Sequence, residues 1–325
     1  MEKKSTFNFL LLREIGVIAG TIILFVIFAV INGDRWISIR LLRPLLHTAS
    51  LLGVMVVGQA LLIISGEFDL SVGSVFGLAG VSFIALSGSI GVIPAFLVVM
   101  VIAGVAGFLN GLITLRGGVP SLITTLGSLF IYRGLVYFTT AGFPVTLPRG
   151  AAAHPVIRAF GGRFLQLNNS LIWCLLLTLA FSFILQYTVY GNRVFGAGGD
   201  PRSAWAQGVK VNRVKWTSFI ICSMLAAFAG VLAVTEMKMG SPTLGQQMEL
   251  QTIASSVIGG IMLTGGIGSI WGGVLGALML SMISSGLILM GAPAYWFITF
   301  VGIVLILGVM GNNALMASIR RRFYR

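Results

Sequence analysis

The chain has 325 residues and a net charge of +13, with 57% hydrophobic and only 9% charged residues. A mean hydropathy of +1.01 lies far outside the range of soluble globular domains, and continuous rather than alternating apolar runs argue against a transmembrane β-barrel. The basic residues stand between and beside the apolar runs, so we interpret the charge as membrane orientation and attraction to anionic membrane lipids, with no nucleic-acid partner.

The apolar runs predict an all-α, polytopic membrane protein with about ten transmembrane helices in a single membrane domain, residues 1–325. The 43 glycines suit close helix packing in lipid. No convincing cleavage site follows the first run, so that span is expected to be retained. The predicted spans are 15–31, 45–64, 71–89, 91–113, 120–140, 169–188, 216–235, 250–264, 269–290 and 294–311.

The basic residues also predict the orientation. They are concentrated in the N-terminal tail, the loop 190–215 and the C-terminal tail, and an even number of spans places all three on the cytoplasmic side. The longest outer loop, 141–168, contains three prolines and few apolar runs. We therefore expect it to be an exposed segment.

An acidic pair, Glu67 and Asp69, follows the second predicted span in the segment SGEFDLSVGS at 65–74. A carboxylate in contact with hydrocarbon is strongly disfavoured unless it has a partner, a backbone donor or a wet cavity. The neighbouring glycines and serines predict a broken helix in which Asp69 caps the next helix through amides near Ser71 and Val72. Gly73 belongs to the same predicted break.

A second predicted break lies at 261–269, in the segment IMLTGGIGS. As in the first break, an apolar run ends at a Ser/Thr-Gly pair, and a Gly-Ser pair precedes the next glycine-rich run. Paired interruptions in two halves are typical of a transport pathway, although glycine-rich membrane proteins also produce such echoes by chance. We assign to this second break Gly265, Gly266, Gly268 and Ser269.

The loop 190–215 contains a predicted helix outside the bilayer. Asp200 suits the N-cap, Pro201 the first helical position and Gly208 the residue beyond the end, which gives about two turns. Such a short helix is not stable alone and should dock on another surface. A connector lying on the membrane is the alternative.

Together these stretches resemble the permease subunits of bacterial ABC-type sugar importers, in the ribose, xylose and arabinose branch. The resemblance rests on 66–74, on NG at 110–111 followed by PSLITTLG at 120–127, on 198–213 and on 259–276. Two positions depart from the family pattern: Glu67, where a small or aliphatic residue is common, and Asp200, where Asn is common. Amino-acid importer permeases are a related but weaker match.

The resemblance implies a dimer with a second permease copy or a paralogue, two cytoplasmic ATPase subunits and a periplasmic sugar-binding protein, assembled in the bacterial inner membrane. ATP and magnesium would be bound by the ATPase, and this chain would bind no cofactor. The short helix would then be a coupling helix. Its coupling residues would be Asp200, Pro201, Arg202, Ala204, Trp205 and Gly208.

The same resemblance makes the loop 141–168 periplasmic. Its arginines Arg149, Arg158 and Arg163 could pair with acidic residues of the binding protein, or could simply be solvated.

No catalytic or metal-binding set is visible, because no Gly is followed directly by Lys, as a phosphate loop requires, and His47 and His154 lack metal-ligand spacing. Hydroxyls of a transported sugar need polar partners, and each candidate could equally serve helix packing. Arg133 could alternatively be the ion-pair partner of Asp69. The candidate path consists of Asn110, Thr124, Thr125 and Arg133, with Gln59 and Tyr132.

The resemblance therefore implies the non-enzymatic permease subunit of an ATP-driven importer for a monosaccharide or related polyol. One alternative is a secondary transporter that couples to protons or sodium through Asp69 or Glu67, and a more remote one is an intramembrane enzyme. The sequence leaves open which sugar is carried, because selectivity in such systems resides largely in the binding protein. It also leaves open whether the permeases form a homodimer or a heterodimer.

Overall fold

The computed structural model describes residues 2–293, 295–307 and 310, with side chains from residue 15 onward, and this part of the chain is predominantly helical. A short 3-10 turn, Gly33–Arg35, follows the first helix. The helices in chain order are α1 Glu2–Asn32, α2 Ile39–Ile64, α3 Val72–Ser89, α4 Val92–Leu115, α5 Ser121–Thr140, α6 Arg149–Ala152, α7 Pro155–Gly161, α8 Asn169–Tyr187, α9 Val189–Gly199, α10 Pro201–Ala206, α11 Val211–Met237, α12 Met248–Ile258, α13 Ile270–Leu289 and α14 Trp296–Leu307.

Eight helices in the described residues are long and apolar enough to cross a membrane, which confirms a polytopic helical membrane protein. They correspond to eight of the ten predicted spans. The predicted span 250–264 is wrong as a continuous helix, because α12 has only 11 residues and is followed by turns. The predicted span 294–311 coincides with α14 where the chain is described, and residues 294, 308, 309 and 311 lie outside the described residues.

The glycines after α12 explain why the predicted span 250–264 fails. Gly260, Gly265 and Gly266 have φ angles of 82°, 82° and 75°, a left-handed conformation that terminates a helix and that other residues adopt only with strain. The chain before α12, residues 241–247, is also non-helical and runs beside α3. Two irregular segments therefore flank a short helix inside the bundle.

The core lies around α2, α3 and α11, whose membrane segments are mostly buried, whereas α1, α4, α5 and α8 present exposed apolar side chains. Close approach at the centre depends on small residues. A Cβ on Gly230 would lie 2.1 Å from the carbonyl oxygen of Phe76, and one on Gly58 would lie 2.8 Å from Cα of Cys222. The exposed apolar faces of the outer helices are suited to lipid.

One end of the bundle, here called the α7 end, is covered by the segment 141–168. Strand β1 (Val145–Thr146) pairs with β4 (Met239–Gly240), and β2 (Arg163–Phe164) forms a hairpin with β3 (Leu167–Asn168). The expectation of an exposed segment is therefore only partly right, since this segment folds onto the bundle. Its buried apolar side chains are Leu147, Ala151, Ile157 and Phe160.

The opposite end, here called the α10 end, contains α9, α10, residues 65–71 and residues 259–269. Helices α1 and α13 run in the same direction, because Gly20 faces Met279 and Phe28 faces Gly286. Since α13 begins beside Ile64 at the α10 end, the start of α1 lies at that end too. The start of α1 and the loop 190–215 thus lie at the same end of the bundle, as the orientation prediction requires. The C-terminal tail lies outside the described residues.

Candidate transport and coupling site

Asp69 is fully buried in a turn that folds back between α2 and α3. Its Oδ1 accepts hydrogen bonds from the Ser71 amide at 2.7 Å and the Ser71 hydroxyl at 2.6 Å, and its Oδ2 accepts one from Asn110 Nδ2 at 3.3 Å. The predicted contact with the amide before α3 is confirmed. Asp69 is thus satisfied by neutral donors, the arrangement that a buried carboxylate without an ion pair requires.

The backbone of this turn is held by neighbouring helices. Thr125 Oγ1 on α5 accepts a hydrogen bond from the Leu70 amide at 3.0 Å. The Gln59 side-chain amide on α2 lies 3.2 Å from both the carbonyl oxygen and the amide nitrogen of Asp69, and it satisfies both when its nitrogen faces the carbonyl. Ser128 donates to Asn110 Oδ1 at 2.6 Å. Polar groups from α2, α4 and α5 therefore fix the turn inside the bundle.

The candidate path residues fall into two groups. Asn110 and Thr125 meet at the Asp69 turn, where their hydrogen bonds hold protein groups. Thr124 instead donates to the Val119 carbonyl at 3.5 Å, and the Tyr132 hydroxyl donates to the Ala106 carbonyl at 3.4 Å. A role for any of them in contacting substrate stays a prediction.

Arg133 does not pair with Asp69, so that alternative was wrong. Its guanidinium donates to the carbonyl oxygens of Leu244 at 2.7 Å, Pro242 at 3.3 Å and Gly73 at 3.3 Å. The two carbonyls at 242 and 244 belong to the non-helical segment before α12 and have no helical partner. Arg133 therefore compensates for irregular backbone inside the bundle.

Glu67 forms an ion pair with Lys215 on α11, with Nζ 2.7 Å from Oε1 and exposed side-chain fractions of 13% and 14%. Lys215 is one of the basic residues of the loop 190–215 that predicted the orientation. Nothing in the sequence links positions 67 and 215, because the contact depends on how α11 packs beside the break after α2. Neither Glu67 nor Asp69 is left without a partner in the structure.

The two predicted breaks contact each other at the α10 end. The Gly266 amide donates to the Ile64 carbonyl at 2.8 Å, and a Cβ built on Gly265 would lie 2.9 Å from Cα of Gly66. Gly198, at the end of α9, lies between them: a Cβ there would lie 1.9 Å from the Ile64 carbonyl oxygen and 2.7 Å from the Gly266 amide nitrogen. The loop that carries α10 is thus in direct contact with both breaks.

Three further residues assigned to the breaks serve packing or capping. A Cβ on Gly73 would clash with Glu249 and lie 2.5 Å from the Gly245 carbonyl oxygen, so only glycine fits there. Gly268 packs against Ile64. The Ser269 hydroxyl accepts a hydrogen bond from the Gly272 amide at 3.4 Å and so caps α13.

Helix α10 has the caps that the sequence predicted. Asp200 Oδ1 accepts from the amides of Arg202 at 3.1 Å and Ser203 at 3.2 Å, and Oδ2 accepts from the Ser203 hydroxyl at 2.6 Å. The hydrogen bond from the Ser203 hydroxyl, followed by those from the amides, lowers the pKa of the Asp200 carboxyl. Gly208, just beyond the helix, has a φ of 84°.

Helix α10 has one face buried against its own chain and one face exposed. Ala204 is buried against α9 near Gly196, so this residue holds the helix in place and is not available for contact with another subunit. One surface on which α10 docks is therefore α9 of its own chain. Arg202 is exposed, and Trp205 is 74% exposed, an unusual position for an aromatic side chain outside the apolar faces.

Other titratable residues are placed away from these breaks. His47 Nδ1 lies 2.8 Å from Oε2 of Glu236, and His154 accepts a hydrogen bond from the Val156 amide as the N-cap of α7. Within the described residues, no group of three or more His, Cys, Asp or Glu is arranged to hold a metal ion. The arginines of the 141–168 segment are all exposed: Arg149, Arg158 and Arg163.

Residues 41–309 match the family described as branched-chain amino acid transport system / permease component. The chain belongs to this permease family. The autoinducer 2 import system permease protein LsrC of Photorhabdus luminescens is 30% identical over 317 residues, covering 95% of this chain and 92% of the relative. The ribose import permease protein RbsC of Bacillus subtilis is 30% identical over 302 residues, covering 92% of each chain. No solved structure matches the chain.

Family membership settles the class of the protein. This permease is a multi-pass transport subunit of an ABC importer in the inner membrane, and it works with a separate ATPase and a periplasmic binding protein. It is not an enzyme, since ATP hydrolysis belongs to the ATPase subunit. The comparisons support this reading over a secondary transporter driven by Asp69 or Glu67, and over an intramembrane enzyme.

Proposed function

We propose that this permease carries a monosaccharide or related polyol inward by alternating access, and that α10 transmits the ATPase cycle to the transport path. The observation that carries the proposal is the contact of Gly198 with both Ile64 and Gly266. Gly198 is two residues from the N-cap of α10, so displacement of α10 reaches both helix breaks without an intervening flexible linker. Exposed Arg202 and Trp205 supply the outward surface, since Arg and Trp are enriched at interface anchors.

A sugar is favoured over an amino acid as the substrate. The family description refers to branched-chain amino acids, whereas relatives that match nearly the whole chain are named for ribose and autoinducer 2 import. Uptake by the assembled importer should be competed by sugars or polyols and not by leucine. Competition by leucine alone would reject a sugar substrate and indicate an amino acid.

The remaining partners complete the proposed assembly. A second copy of the permease or a paralogue forms the dimer, and lipids cover the exposed apolar faces of α1, α4, α5 and α8. The chain itself binds no cofactor, and ATP with magnesium stays on the ATPase. The exposed arginines at the α7 end, Arg149, Arg158 and Arg163, are available to acidic residues of the binding protein.

The coupling role of α10 is tested with Trp205→Ala in the co-expressed importer. We expect sugar uptake and retention of the ATPase to fall about tenfold or more, as for an interface anchor, with unchanged membrane insertion. Asp200→Lys and Gly208→Pro should act in the same direction, because they remove the cap and the left-handed residue. Trp296→Ala, which removes an exposed tryptophan from α14, is the matched control. Normal uptake by all three α10 variants with the ATPase still bound would reject the coupling role.

A further inference from the structure

A basic cavity of about 320 Å³ lies at the α10 end, between α9 and the start of α11. It is lined by three cationic side chains, Arg193, Lys210 and Arg213, together with the hydroxyl-bearing Tyr190 and Thr217. The Tyr190 hydroxyl lies 2.9 Å from Thr217 Oγ1 and joins the two helices. The cavity therefore brings three formal positive charges together with two hydroxyl groups.

These three charges have no acidic partner among the described side chains. The ion pairs among the described side chains are Lys215–Glu67 and His47–Glu236, and neither involves a lining residue. Asp200 lines a neighbouring cleft with Arg193, but its two carboxylate oxygens already accept hydrogen bonds within α10. The cavity therefore has a positive electrostatic potential that attracts an anion from outside the chain.

An apolar groove of about 410 Å³ lies between α4, α8 and α11. Its walls are apolar and aromatic side chains, which are only partly buried along much of its length. Such a groove on the lipid-facing side of a bundle accommodates hydrocarbon without losing any hydrogen bond. The α11 wall of the groove includes Ile221, Leu225 and Phe228, and the α8 wall includes Trp173 and Phe181.

The cavity and the groove share one face of α11. Thr217 lines the basic cavity, and Ile221, Leu225 and Phe228 follow it along the groove at spacings of four, four and three residues. At 1.5 Å per residue, Thr217 and Phe228 are separated by about 16 Å along the helix axis. A phospholipid whose headgroup occupies the basic cavity can therefore reach the apolar groove with an acyl chain that runs along α11.

We propose that this face binds one anionic phospholipid, with its phosphate among Arg193, Lys210 and Arg213 and an acyl chain in the groove. Basic pockets beside transmembrane helices suit anionic headgroups. If a second copy of the permease packed on this face through a two-fold axis, its three positive charges would face the same three charges of the first copy. Their repulsion disfavours a dimer contact here. An ATPase in the aqueous phase would not cover a groove inside the bilayer.

The proposal is tested by native mass spectrometry of the purified full-length permease with phosphatidylglycerol or phosphatidylcholine of identical acyl chains. We expect phosphatidylglycerol to bind at least about tenfold more tightly, and inorganic phosphate at equal concentration to displace little of it. Equal binding of the two lipids would overturn the anionic headgroup. Complete displacement by inorganic phosphate would overturn the role of the groove.

Variants separate this site from the overall charge of the protein. The triple variant R193Q/K210Q/R213Q should weaken phosphatidylglycerol binding on the order of 100-fold, whereas R149Q/R158Q/R163Q, which removes the same net charge at the α7 end, should leave it unchanged. Ile221→Trp, which fills the groove, should weaken binding while the basic cavity stays intact. Equal losses from the two triple variants would overturn the site, and so would unchanged binding by both R193Q/K210Q/R213Q and Ile221→Trp. These measurements do not depend on transport or on α10.

Discussion

The ammonium nitrogen of Lys215 lies 2.7 Å from Oε1 of Glu67, although the residues are 148 positions apart in the chain. The pair joins the break after α2 to the first turns of α11, close to the loop that carries α10. Both side chains are largely buried, so neither charge is well solvated without the other.

Breaking this pair should destabilise the protein, and removing both charges should not. Lys215→Met or Glu67→Gln alone is expected to lower the free energy of unfolding by about 1–3 kcal/mol, because each leaves one largely buried charge unpaired. The double variant should recover most of that loss. Thermal unfolding in detergent, analysed as a double-mutant cycle, measures the coupling. Additive losses would show that the two side chains do not interact.

Asp69 is expected to act through its acceptor atoms. Asp69→Asn keeps one oxygen that can accept from the Ser71 amide. Asp69→Ala instead leaves the Ser71 amide and hydroxyl without that acceptor, while Asn110 keeps its hydrogen bond to Ser71 Oγ. We expect Asp69→Ala to lose about 2–4 kcal/mol of stability and Asp69→Asn clearly less. Unfolding and uptake measurements on the two variants decide this. Equal losses in stability would assign the role to the charge itself.

Gly198 should be intolerant of any side chain. A methyl group there would overlap the Ile64 carbonyl and the Gly266 amide, so Gly198→Ala is expected to cost about 1–3 kcal/mol and to impair uptake. Gly134→Ala on α5 is the matched control, because a Cβ there meets nothing within 4 Å. That variant should be neutral or slightly stabilising. A Gly198→Ala protein as stable and active as Gly134→Ala would contradict the close contact.

The α10 cap should persist at acidic pH. Because the folded-state pKa of Asp200 lies below its usual value of 3.8, the stabilisation by the ionised cap is present above the unfolded pKa and is lost as pH falls through the folded pKa. Hydrogen exchange of the Arg202 and Ser203 amides, corrected for its intrinsic pH dependence, should show constant protection from pH 7 to about pH 4. Asp200→Ala should abolish that protection, and Asp200→Asn should retain most of it. Protection lost already near pH 6 would contradict this assignment.

Local signals in the sequence predicted local structure well. The residues that cap α10 lie within eight positions of one another, and Asp69 and Ser71 are near neighbours, so turn and cap chemistry was sufficient there. Long apolar runs likewise marked the eight long helices. These features depend on interactions that are close in the chain.

Contacts between residues that are distant in the chain could not be predicted from these local patterns. Arg133 could have paired with either Asp69 or a backbone carbonyl, and only the path of residues 242–244 beside α3 decides between them. Hydropathy treats 250–264 as one run because apolar residues stand on both sides of the Gly259–Gly260 pair. Those two glycines were the available sign that the helix ends there.

Arg133 joins three separate parts of the chain: its own helix α5, the first turn of α3 at Gly73, and the non-helical segment at Leu244. Pulling any one of them away would leave carbonyl groups without donors in apolar surroundings. Arg133 therefore ties α5, the start of α3 and the non-helical segment together through hydrogen bonds inside the bundle. One side chain thus replaces the backbone hydrogen bonds that a continuous helix through residues 242–244 would have made for itself.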